Sequence, residues 1–140
     1  MQTDRELLEL AARANWAQDV ANDEVSLRYC EINDGILYLH ADNQDHNGHD
    51  REFVWNPLTD DGDAFRLSAK LGLEIRRGKW PSGTRYVSAH RVWNSNDSCY
   101  EDDGIAVDPA PYAATRLAIV RAAASLAARP KRHNDGADRE

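Results

Sequence analysis

The sequence predicts an α+β fold: an antiparallel sheet of two hairpins covered by three helices in a layered α/β/α-type sandwich. Two observations predict it. Apolar residues recur at helical spacing in three separate stretches, and each stretch has one apolar side that must be buried. Between them lie two stretches in which apolar and polar residues alternate and then turn back, and such hairpins build antiparallel sheets. The order helix, hairpin, helix, hairpin, helix contains no internal repeat and no long linker. Residues 1–129 therefore read as one domain and residues 130–140 as a charged, disordered tail.

The first helix is announced by Thr3-Asp4-Arg5-Glu6, a capping box whose two end residues satisfy free backbone N–H groups at a helix start. It runs from Asp4 to Asn15, with Leu7, Leu10, Ala11 and Ala14 on its apolar face. Val25 to Ile32 alternates, Asn33-Asp34-Gly35 supplies the turn, and Ile36 to His40 returns as the partner strand. Asp42 to Glu52, DNQDHNGHDRE, is too polar for core and reads as a loop. Asn56-Pro57 sets a turn, and Asp60, Asp61 and Asp63 crowd the positive end of a second helix that buries Ala64, Leu67 and Leu71. Gly72 suits the left-handed position that ends it. A strand from Leu73 to Arg76, a turn over Arg77 to Thr84 and a strand from Arg85 to Val92 make the second hairpin.

Asn94 to Gly104 is a second polar loop, and Ile105 to Val107 a short apolar link. Asp108 and Pro109 then suit the cap and first residue of the longest helix, which Pro130 ends after Arg129. Its stripe of Ala113, Leu117, Val120, Ala124 and Ala127, widened by Ile119, Ala123 and Leu126, is broad enough for a central packing helix.

A chain of 140 residues can build its core without metal or disulfide. Seventeen basic against twenty-four acidic side chains give a net charge of -7, which argues against broad adhesion to nucleic acid or anionic membrane. Cys30 and Cys99 are too few for a disulfide framework and read as free thiols in a reducing compartment, Cys30 buried in its strand. No apolar run approaches the roughly 18 residues of a membrane span, and MQTDRELLEL lacks the layout of a signal peptide. The expected compartment is the cytoplasm.

Two blocks carry a family resemblance. Trp55-Asn56-Pro57-Leu58-Thr59-Asp60-Asp61-Gly62-Asp63-Ala64-Phe65-Arg66-Leu67, followed by Lys70-Leu71-Gly72, resembles the signature of the phage ABA-sandwich domain family. Asp108-Pro109 and the stretch from Ala113 to Ala124 resemble that family's closing helix, and Asp4 to Ala12 its opening one. The resemblance implies helices layered on a sheet and a bacteriophage or prophage origin. It implies no activity and no catalytic residues.

Several constellations bear chemistry. His40, Asp42, His46, His49 and Asp50 combine imidazole and carboxylate, a set that suits zinc or another divalent metal, although His46-x-x-His49 without a Glu-bearing helix is no recognised motif. The alternative is a solvated loop with exposed histidines. The aspartates at 60–63 lack the alternate ligands and final Glu of a calcium loop and read as helix capping. Residues 73–91 carry five basic side chains against Glu74. Arg76, Arg77, Lys79 and Arg85 beside Trp80 and Tyr86 would hold phosphates and stack a base. The alternative is that this basic hairpin and the acidic residues Asp97, Glu101, Asp102, Asp103 and Asp108 neutralise one another.

Neither a Gly-x-Ser-x-Gly nucleophile turn nor a phosphate-binding glycine loop occurs in the sequence. Together with what the resemblance implies, the expectation is a non-enzymatic phage accessory protein without cofactor that binds a host or phage protein. The candidate partner-binding residues are Asp97, Glu101, Asp102 and Asp103; in one form of the expectation the acidic loops at 42–52 and 97–108 form one continuous face that imitates nucleic-acid phosphates. A metal-dependent enzyme using residues 40–50 and a nucleic-acid binder using residues 76–91 are the alternatives.

Overall fold

The computed structural model of the chain describes residues 2–44, 50–91 and 104–128, with the backbone alone for 40–44, 50 and 51. Its elements are α1 (Asp4–Asn15), α2 (Ala17–Ala21), β1 (Val25–Cys30), β2 (Gly35–Gln44), β3 (Asp50–Trp55), α3 (Asp61–Leu71), β4 (Leu73–Lys79), β5 (Arg85–Arg91), β6 (Ile105–Ala106) and α4 (Pro111–Ala128). Local signals set the helix ends. Thr3 Oγ1 accepts from the Glu6 N–H at 3.1 Å while Glu6 Oε1 accepts from the Thr3 N–H at 2.8 Å. Asp60 caps α3 by accepting from the Asp63 N–H at 2.8 Å, and Gly72, at φ 70°, ends it in the left-handed conformation.

The strands are antiparallel and the class is α+β, but they divide into two three-stranded sheets, β1-β2-β3 and β4-β5-β6, instead of one. The reading of 42–52 as a loop is corrected at both ends, while 45–49 lie outside the described residues: β2 continues to Gln44, and β3 starts at Asp50 and pairs along β2, Ile36 opposite Trp55. A strand at the edge of a sheet with one face open to water tolerates such polar residues. Ile105-Ala106 is likewise a strand, pairing with Val87 and Tyr86. β4 extends to Lys79, so the turn between β4 and β5 shrinks to residues 80–84. Asp108 and Pro109 do not open the last helix: their peptide bond is cis, α4 begins at Pro111, and the Asp108 carboxylate pairs with Arg85. A short fourth helix, α2, follows α1, and Cys30 is half-buried.

Two cores share α4. The first gathers Leu7, Leu8, Ala11 and Ala12 of α1, Val25, Ile36 and Trp55 of the first sheet, and Ala64 and Leu67 of α3 onto Ile119, Val120, Ala123 and Ala124. The second sets Val87, Ala89 and Val107 against Ala114, Ala118 and Ala122. The buried faces of α4 thus differ from the expected stripe, and Ala113 is exposed. Its alanines offer little size contrast, so periodicity alone could not choose between them. Beneath α1, Trp16 lies 4.6 Å from the ring of Tyr38 and 5.0 Å, edge-on, from Trp55. Burial pushes the Tyr38 phenol above its ordinary value.

Asn56, buried at the end of β3, ties three segments together. Its side-chain amide donates to the Asp34 carbonyl in the β1–β2 turn, and its Oδ1 accepts from the Leu58 N–H at 2.9 Å. Its own N–H donates to Asp63 Oδ2 at 2.9 Å, reaching α3. An Asn56→Ala change is expected to lower stability by about 2 kcal/mol, because it removes two part-buried hydrogen bonds made by a buried side chain. Asp60→Ala, which removes one exposed cap, should cost about 1 kcal/mol. Urea denaturation of both variants checks the order, and an Asn56→Ala cost below that of Asp60→Ala would contradict it.

Candidate functional site

Alternation along β4 sends Leu73, Ile75, Arg77 and Lys79 to one side of the strand and Glu74, Arg76 and Gly78 to the other. Leu73 and Ile75 pack into the cores, and Arg77 and Lys79 follow them on the same side but are exposed. Here α3 and the first turns of α4 leave two adjoining hollows. One, of about 360 Å³, is floored by Ala64, Ile75 and Ile119 and edged by Phe65, Arg77 and Arg116. The other, of about 350 Å³, lies among Lys79, Arg85, Tyr86, Val107 and Pro111. They meet at Arg77, Tyr112 and Thr115, so they form one groove.

Two aromatic rings stand at this groove in water: Phe65 is 70% exposed and Tyr112 76%. Each lies off the buried face of its helix. Phe65 directly follows Ala64 in α3, and Tyr112 occupies the first turn of α4. Sequence reasoning missed both. The available signal was a large ring out of phase with an otherwise consistent apolar stripe.

The cations divide into held and free. Arg116 Nη1 pairs with Asp61 Oδ1 at 2.6 Å and its Nε donates to the Leu58 carbonyl at 2.8 Å, which fixes the guanidinium across α3 and α4. Arg85 pairs with Asp108 at 2.9 Å. Arg76, on the far side of β4, pairs with Glu74 at 2.9 Å. Outside the groove, Arg66 is held further toward its charged form by its hydrogen bond to Asp63. Arg77 and Lys79 have no carboxylate partner among the described residues.

The basic hairpin is therefore not one surface. Trp80 is half-buried and lies tilted against Tyr86, the ring centroids 5.2 Å apart and the planes at 30°. Tyr86 in turn lies so close over Gly78 and Gly104 that a Cβ at either would meet it at 2.6 or 2.7 Å. The two rings engage each other, and Tyr86 also covers the two glycines. On the same strand Ser88 Oγ and His90 Nε2 are 2.9 Å apart, but Ser88 is buried and cannot meet a substrate.

His46 and His49 lie outside the described residues, as do Asp97, Glu101, Asp102, Asp103 and Cys99. His40 and Asp42 belong to β2 and Asp50 to β3, with Gln44 opposite Asp50, and their side chains lie outside the described set. Among the described residues no group of three or more His, Cys, Asp or Glu is arranged to hold a metal ion, and no helix is long and apolar enough to cross a membrane. No family model, no curated protein and no solved structure matches the chain.

The held and free cations are expected to separate on mutation. Arg116→Ala removes a part-buried charged hydrogen bond to a backbone carbonyl and should cost about 1–2 kcal/mol, its ion pair with exposed Asp61 adding little. Arg77→Ala should stay within about 0.5 kcal/mol of the parent. Thermal and urea unfolding check both, and equal costs would contradict the division.

Proposed function

We propose that this chain acts by binding: a phage or prophage accessory protein of the bacterial cytoplasm that occupies a host or phage protein through the groove between α3, α4 and β4. The phage setting rests on the resemblance of the Trp55–Leu67 block and the closing helix. The groove reading rests on one observation above the others: Phe65 and Tyr112 are large apolar rings kept in water at the edge of an apolar floor. Aromatic residues are enriched where partners bury surface, and rings filling or framing pockets dominate binding energy there. Isolated exposed apolar residues are ordinary; two that frame one hollow beside two free cations form a patch with a use.

Affinity capture from bacterial lysate, with the parent and a Phe65→Ala/Tyr112→Ala double variant side by side, tests this. The expected result is a partner retained by the parent and lost by the double variant, at unchanged melting temperature. An identical set of captured molecules with both proteins would contradict the assignment of the groove.

A further inference from the structure

We infer that the groove takes an acidic segment of a partner protein, one apolar side chain seated on Ala64, Ile75 and Ile119 and flanking carboxylates held by Arg77 and Lys79. The inference rests on the groove being the contact surface and adds the chemistry of its occupant. Charge complementarity carries it. Arg85 and Arg116 are already neutralised by Asp108 and Asp61, so the charge left to attract a ligand is that of Arg77 and Lys79. Both extend the core-facing row of β4, which places them where that row leaves the core and enters the groove. A chain presenting an apolar anchor with a carboxylate or two beside it satisfies the floor and both cations at once. A basic segment would leave them repelled, which gives the site its discrimination.

A nucleic-acid strand fits less well on the same observations. Grooves for single strands track successive phosphates with a run of cations and offer rings for successive bases. Among the described residues two groove cations have no carboxylate partner, Asp61 and Asp108 sit beside the other two, and Arg76 lies on the opposite side of β4. Neutralising two phosphates gives a salt slope of only about -1.4 for single strands, short of the run of contacts that a strand-tracking groove makes.

The test is selection from a random twelve-residue peptide library on the immobilised full chain, followed by titration of a labelled consensus peptide. The expected peptides carry Asp or Glu around an aliphatic or aromatic residue. Their affinity should fall at least tenfold in Arg77→Glu/Lys79→Glu and about tenfold in Tyr112→Ala, with melting temperatures unchanged. Recovery of no peptide, or of acidic peptides indifferent to the charge reversal, overturns the inference. Peptides without acidic bias that still depend on Tyr112 overturn the ligand class and leave the groove standing, whereas peptides indifferent to Tyr112→Ala overturn both. Tighter binding of a labelled twelve-residue oligothymidylate than of the peptide assigns the groove to nucleic acid and equally overturns it.

Discussion

The structure depends on α4 being apolar on two sides and small on one of them. Ala114, Ala118 and Ala122 face Val87, Ala89 and Val107, while Ile119, Val120, Ala123 and Ala124 pack against α1 and α3 in the core that also takes in the first sheet. Methyl side chains let the helix backbone approach the second sheet closely, and added methylenes there would force off-rotamer packing or backbone shifts. The larger Ile119 and Val120 fill the space beneath Leu7, Leu8 and Leu67. The second sheet buries its inner face on α4, and the first sheet packs on α1, which in turn packs on α4, so this one helix joins the two cores.

That constraint also shapes the groove. From Ala114 onward α4 is committed to packing, so its first turn, Pro111 to Ala113, stands exposed. Tyr112 is carried there, and Arg116, one turn further, reaches back to Asp61 and Leu58 and fixes the near end of α3. α3 meanwhile buries Ala64 and Leu67, which turns Phe65 outward. The hollow between them is the space left where helices pack by their apolar faces and the sheet continues past them. The groove follows from the packing scheme and does not require a separate inserted element.

How much of this was legible in the sequence follows from the range of each interaction. The capping box of Thr3 and Glu6, the Asp60 cap and Gly72 each act within a few residues, and the helix ends they set are where the sequence places them. The β1–β2 hairpin is equally local. The third strand was hidden because Asp50 to Glu52 is polar and pairs at a sheet edge, and the division into two sheets because strand order is decided by contacts far apart in the chain. The same holds at the groove. Five bases crowd residues 73–91, but which are free is settled by Asp61 meeting Arg116 across 55 residues and Asp108 meeting Arg85 across 23. Composition showed the charge; only the fold sorted it.

The shared helix makes both sheets one cooperative unit, and native-state hydrogen exchange measures that directly. The slowest amides of β2, in the first sheet, and of β5, in the second, should exchange with the same free energy, equal to that of global unfolding. If β5 exchanges at a free energy lower than β2 by about 2 kcal/mol or more, the second sheet opens on its own and α4 is not the joint described here.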